Sequence, residues 1–362
     1  MPRGLVLLLG TAAAVIAIAG MQATAWLIGP LFLALILVVA VNPLATRLRS
    51  RGWPAWAATL TVALVVYVGL LGFGLIMVVS VGQLATVLPQ YSAQFDALVT
   101  SVQQTLAGLG IDQAQIQSAT QGLSVSSVLG VLGGVVSGVS GVLTNIVLIL
   151  ALLLFFLVDG ATFGRRLASI AADRPHVVGA LDTFAGGTRS YLLVTTVFGL
   201  IVAVLDTVAL AVMGVPLAVL WGVLAFITNY IPNIGFVFGL VPPAVLALLV
   251  GGPQLFVIVV VVYIVLNFVI QSLIQPRFIG DSVGLSASVT FVTLLFWAWV
   301  LGPLGAILAI PLTLLAKALL IDVDPKARWA DALIRSDSEA GAQKPVTSTG
   351  TGTAPTPVAA PG

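Results

Sequence analysis

The chain has no cysteine and a single histidine, His176. Disulfide frameworks, thiol chemistry and multi-histidine metal centres are therefore excluded. Charge is almost as scarce: 14 basic and 12 acidic side chains make up 7% of 362 residues, where a soluble domain carries about 25%. So few ionised groups cannot wet the surface of a chain this long. A composition that is 60% hydrophobic suits a lipid-facing exterior instead. A phosphate-binding loop is missing too, because the glycines of residues 130–141 lack the Lys-Ser/Thr pair such a cradle needs. No other catalytic constellation is present, so the chain is read as a non-enzyme that needs no cofactor or metal. Its bases are grouped by topology and form no nucleic-acid footprint. The partner they imply is a lipid bilayer.

What the sequence does have is long apolar runs. A bilayer core of about 30 Å needs about 20 apolar residues in a helix. Six runs are long enough: about 5–22, 26–45, 57–82, 139–158, 191–213 and 255–274. Met1-Pro2-Arg3 and Ala23-Thr24-Ala25 around the first run have the outline of a signal peptide. A second run follows at once and ends in Arg47, Arg49 and Arg51, so the pair reads better as a helical hairpin turning at residues 21–25. Two further apolar stretches, 216–250 and 286–318, are each broken near the middle by Pro and Gly, at residues 228–235 and 302–305.

Lysine and arginine are absent from residues 52–164 and again from 190–276. By the positive-inside rule the remaining basic clusters are cytoplasmic. Both termini then lie inside, and residues 83–138 lie outside. The stretch 216–250 leaves and returns on the outer side and 286–318 on the inner side. The expected fold is all-α: a polytopic transmembrane helical protein with six full spans, two opposed broken-helix hairpins and a small extracellular helical insert.

Within the insert, Leu84, Leu88, Tyr91, Phe95, Leu98 and Val102 form a heptad seam on an otherwise polar helix, and a second amphipathic stretch surrounds residues 113–120. An intramolecular hairpin, a helix lying on the membrane and a subunit-bridging coiled coil all fit that pattern. Gly130, Gly134 and Gly138 recur every fourth residue, which lets helices approach closely in lipid. From about residue 336 the tail is rich in Ser, Thr, Gly, Pro and Ala, as disordered segments are.

Three groups of residues carry candidate chemistry. Asp206 lies near the middle of the fifth span among apolar neighbours. A carboxylate at that depth costs about 2.5–3.5 kcal/mol on insertion scales, so it faces protein or a water-filled path. It reads either as a proton or cation site or as an acid used for packing, bonded to Thr207 or another helix. Asn229, Pro232, Asn233 and Gly235 occupy the tip of the outer hairpin. Irregular backbone at membrane depth survives only where it is buried or lines a cavity, and in transporters such breaks bind substrate; a plain tight turn is the alternative. Asn267, Gln271 and Gln275 share one helical face of the sixth span, for either a polar path or interhelical bonding.

These residues also carry a resemblance. Ile231-Pro232-Asn233-Ile234-Gly235 with Pro242 resembles the Ile-Pro-x-x-Gly signature of the autoinducer-2 exporter family, the PerM-like permeases. So does Gln275-Pro276-Arg277-Phe278-Ile279-Gly280 with Val283-Gly284-Leu285. The third match is Leu301-Gly302-Pro303-Leu304-Gly305 through Ala309-Ile310-Pro311-Leu312. Asp206 stands outside the family's common pattern, and an aromatic often takes the place of Asn233. The resemblance covers roughly residues 5–325 and implies a membrane transporter. Some members are linked to export of the furanone autoinducer-2 and others look like sodium/proton antiporters. It also implies a homo-oligomer with opposed hairpins, reminiscent of elevator transporters.

The expected organisation is scaffold helices over 1–82, the outer insert over 83–138, and a span with its cytoplasmic basic segment over 139–190. A transport region over 191–320 and a cytoplasmic tail over 321–362 complete it. The expected function is secondary transport of a small polar solute such as autoinducer-2 across the bacterial cytoplasmic membrane. In that reading the two hairpin tips flank the solute, with Asn267 and Gln271 at the wall. Cation/proton antiport at Asp206 and a non-transporting membrane scaffold are the alternatives.

Overall fold

A computed structural model describes residues 2–110, 112, 115, 125–232, 234–275, 285–324, 327 and 330, with only the backbone described over 125–144. Among the described residues the chain is helical and contains no strand. Asn233, Pro276, Arg277 and Gly280 lie outside them, as do most of residues 113–120 and the tail beyond residue 330.

Helices α1 (Arg3–Ala23) and α2 (Ala25–Ser50) meet at one residue, Thr24, where a longer turn was expected. The end of α1 packs on a later helix through Ile18 and Met21, and Gln22 donates to the Trp299 carbonyl at 3.2 Å. Helix α3 (Ala55–Val87) reaches a 3₁₀ turn at Leu88–Tyr91 and continues as α4 (Ser92–Gly108). Pro89 at the start of that turn interrupts the heptad seam. Leu84 is buried and Tyr91 packs on the core, whereas α4 buries nothing completely. Helix α5 (Val125–Ile170) bends by 52° between Asn145–Gly160 and Thr162–Ile170. Helices α2, α3 and α5 close one core around Ala34, Val38, Val62 and Leu153.

Helix α6 (Pro175–Val212) has 38 residues. At 1.5 Å per residue that is about 57 Å, longer than the bilayer core. Asp182 and Arg189 sit in its first half, and the second half is apolar apart from Asp206, so the second half is the membrane part. A tight turn through Gly214 (φ 73°) and Leu217 (φ 60°) leads into α7 (Ala218–Thr228). The chain reverses again before α8 (Gly235–Asn267), which is broken at Gly252 (φ 70°, ψ −167°) and runs into a π-helical turn, Phe268–Ile274. Helix α9 (Ala287–Leu301) starts from a Ser286 cap and ends at Gly302 (φ 68°, ψ −149°). Pro303, right after Gly302, opens α10 (Pro303–Ile307), and α11 (Ala309–Lys317) returns. Pro311 has no N–H for the Ile307 carbonyl, which fits the break between α10 and α11 at Leu308.

Among the described residues four helices are long and apolar enough to cross a membrane, or five if the bent α5 is one span. The arms α7 and α9, with 11 and 15 residues, are shorter than a crossing. Both hairpins pack on α6. The first builds a core from Trp221, Ala247 and Tyr263 against Leu210, Val81 and Leu84. The second places Ile310, Leu314 and Ala318 on Ala180, Phe184 and Tyr191. The molecule is a multi-pass membrane protein with α6 as its central post.

Candidate functional site

One face of α6 is buried from Ala180 to Leu210, and its polar members are Thr188, Tyr191, Thr195 and Asp206. Small residues on that face admit α7 closely. A Cβ on Gly199 would lie 2.8 Å from the Asn229 amide nitrogen, and one on Gly222 would strike the Thr207 hydroxyl. Thr207 itself donates to the Ala203 carbonyl at 2.7 Å, so it does not serve Asp206.

The tip between α7 and α8 is tied to this face by polar contacts. Asn229 donates to the Thr195 carbonyl at 3.0 Å, and the Tyr191 hydroxyl donates to the Tyr230 carbonyl at 3.0 Å. The Tyr230 hydroxyl pairs with Thr196 at 2.6 Å. Gly235 accounts for the tightness of the turn, because any Cβ there would run into the Thr228 carbonyl. Ile231 and Ile234 rest on the core that α2, α9 and α11 share.

The π-helical turn brings in two further amides. Gln271 donates to Oδ1 of Asn267 at 2.6 Å and to Oδ1 of Asn229 at 3.1 Å. Asn267 donates in turn to the Tyr263 carbonyl at 2.9 Å. A chain of side-chain amides thus runs from the Thr195 carbonyl of α6 through the tip to α8. A π turn is often found where a helix carries function, since it displaces side chains from the α-helical register.

Two cavities border this amide chain. The larger, about 260 Å³, is lined by Tyr191, Thr195, Asn229, Pro232, Gln271, Gln275 and Thr290, with Ile231, Leu285 and Ile310 among its apolar walls. The smaller, about 10 Å³, has the room one water needs; Asp206, Thr228, Tyr263 and Asn267 line it. Thr228, Asn229, Phe236 and Gln271 border both. Among the described residues neither lining contains a lysine, arginine or histidine. Asp206 is fully buried, and neither of its carboxylate oxygens has a hydrogen-bond partner among the described residues. The hydroxyl of Tyr263, 1% exposed, is equally unpartnered.

Asp206, Asn229, Pro232, Asn267, Gln271 and Gln275 therefore gather around two adjoining cavities, with Gly235 closing the turn beneath them. Pro242 lies within α8. Gly302 and Gly305, expected to flank the site, do not line it. Leu304 at that tip packs over Gly29 of α2, and a Cβ on Gly305 would meet the Trp297 carbonyl. The reason is length: α9 starts beside the larger cavity and its 15 residues carry the tip about 22 Å away. Tyr263, Tyr191, Thr195 and Thr228 were missed. Tyr263 stands four residues before Asn267, so extending the Asn267–Gln271–Gln275 stripe one step back finds it.

The chain is a polytopic helical membrane protein with a polar cavity beside a broken helix, and a family match defines its class as a membrane transport protein. Residues 6–323 match the profile of the AI-2E family transporter, and the chain belongs to that family. It is 30% identical over 315 residues to YhhT of Escherichia coli, covering 87% of this chain and 90% of that one. The AI-2 transport protein TqsA of Escherichia coli is 29% identical over 309 residues, covering 84% and 88%. YueF of Bacillus subtilis is 27% identical over 315 residues, covering 81% and 83%. The chain is a membrane permease.

Proposed function

We propose that this permease is a secondary transporter that exports a small, polar, uncharged solute of the autoinducer-2 type across the bacterial cytoplasmic membrane. The observation that supports this most is the 260 Å³ cavity, walled by amides and hydroxyls, with no basic side chain among the described residues of its lining. Such a wall offers paired donors and acceptors to a hydroxylated solute and no counter-charge to an anion. The similarity to a relative named for AI-2 transport points the same way. Asn229 and Gln275 are the groups assigned to the solute, and Asn233 of the same tip is assigned with them.

In this reading the bases are cytoplasmic, α1 to α5 are scaffold, and the region from α6 to α11 carries transport. The larger cavity reaches Gln275, just before Arg277, so it faces the cytoplasm, and the outer hairpin seals it from outside. Alternating access moves that hairpin against α6. The chain works as a homo-oligomer. Broad apolar surface on α3 and α6, including Leu64, Leu75, Leu193 and Leu200, serves lipid and subunit contact alike.

The test is counterflow of labelled autoinducer-2 into proteoliposomes, wild type beside Asn229→Ala and Gln275→Ala. Loss of counterflow in both variants, with folding intact, is the expected result. Unchanged counterflow in both would remove the solute from this cavity.

A further inference from the structure

We propose that the smaller cavity is a binding site for one small monovalent cation of sodium size, held by Asp206 and Tyr263 and partitioned from the solute cavity by the Asn229–Gln271–Asn267 amide chain. This deepens the transport reading above and rests on it, by supplying an ion to drive the solute.

Two independent observations meet in this pocket. The first is a set of buried oxygens without partners: both of Asp206 and the hydroxyl of Tyr263. Native proteins pair nearly all such atoms, so three orphans bordering one cavity ask for a ligand. The second is the direction of the amides. The N–H groups of Asn229 and Asn267 serve the Thr195 and Tyr263 carbonyls, and Gln271 serves the oxygens of both asparagines. Four of the six amide N–H groups are thus spent on one another or on backbone carbonyls, and among the described residues no donor is bonded to Asp206.

Among the described residues this oxygen-rich pocket has one carboxylate and no basic side chain, a lining that complements positive charge. Its volume, about 10 Å³, admits a single ion stripped of most of its water. One carboxylate balances one charge, whereas a calcium ion takes six to eight oxygens in a roomier shell. Oxygen donors also suit a hard alkali ion over a soft metal. Among the described residues, the only titratable side chain lining the pocket beside Asp206 is Tyr263.

The placement suggests how the ion and the solute are linked. Gln271 and Asn229 border both cavities, and their mutual bond of 3.1 Å stands between them. A solute that donates to Asn229 Oδ1 competes with Gln271, freeing an N–H of Gln271 at the wall of the ion pocket and shifting that side chain. Binding on one side therefore changes the ligands available on the other, which is what coupling requires.

The experiment is thermal unfolding of the purified full chain in detergent, titrated with NaCl against choline chloride at constant ionic strength. Sodium should raise the wild-type midpoint by several degrees with a saturating dependence. The shift should vanish in Asp206→Asn, and Tyr263→Phe should raise the half-saturating sodium concentration about tenfold. If Asp206→Asn does not fold, Tyr263→Phe and Thr228→Val carry the test. A sodium shift that survives in Asp206→Asn, or is unmoved in both other variants, would put the ion elsewhere and overturn the assignment. Absence of any sodium shift in the wild type, with a response to pH alone, would overturn it too. Counterflow of autoinducer-2 without an ion gradient, run in parallel, reads the solute pathway by itself, so either reading can fail alone.

Discussion

Arg189 donates its Nε–H to the carbonyl oxygen of Val39 at 2.9 Å, across 150 positions of sequence. Val39 is the residue whose helical donor is missing, because position 43, four residues on, is proline. A proline in the middle of α2 thus creates an acceptor, and the last arginine before the membrane part of α6 fills it. The bond fastens the scaffold to the helix that carries Asp206.

Removing that donor should cost stability through the carbonyl left behind, by about 1–3 kcal/mol. Arg189→Ala is expected to lower the thermal midpoint in detergent accordingly. In a Pro43→Ala background the helix supplies its own donor to Val39, so the same arginine change should cost clearly less. A double-mutant cycle reads this directly. Equal costs in both backgrounds would mean that Arg189 acts only through packing or charge.

Gly199 offers a way to disturb the tip without touching it. A methyl group there would sit 2.8 Å from the amide nitrogen of Asn229 and 3.3 Å from its side-chain carbon. Asn229 is a movable side chain, so Gly199→Ala should displace it and break its bond to the Thr195 carbonyl while the helices stay packed. Losing one such bond is worth about a factor of ten in binding. The half-saturating autoinducer-2 concentration in counterflow should rise by about that factor, with the thermal midpoint shifted little. A collapse of the midpoint instead would show that the α6–α7 approach tolerates no added methyl.

Much of this arrangement is legible in sequence because membrane helices announce their interruptions. Pro232 with Gly235, and Gly302 with Pro303, mark both reversals, and the Gly-Pro pair at 252–253 falls in the gap left between two apolar runs. Asp206 is legible by its oddity, as the one acid inside its run. Pairing across helices is not legible. Nothing local to Arg189 points to Val39, and nothing local to Gln271 points to Asn229, because such bonds depend on how helices far apart in sequence cross. The two hairpins look equivalent as strings of Pro and Gly. Only the length of α9 reveals that one tip reaches the polar site while the other packs on α2.

The absence of cysteine makes the partition between the two cavities directly measurable. Ala225 borders the smaller cavity and Ile231 the larger, so a cysteine placed at either reports on one compartment. Ile231→Cys should react readily with a small methanethiosulfonate reagent, and Ala225→Cys, 6% exposed before substitution, slowly. Gln271 holds the wall by bonding the oxygens of both Asn229 and Asn267. Replacing it with alanine leaves two amide oxygens without donors and makes opening easier by roughly 1–2 kcal/mol. Adding Gln271→Ala should therefore speed labelling of Ala225→Cys about tenfold or more, and leave Ile231→Cys nearly unchanged. Labelling of Ala225→Cys that is fast already, or indifferent to Gln271, would mean that the amides decorate one continuous chamber and separate nothing.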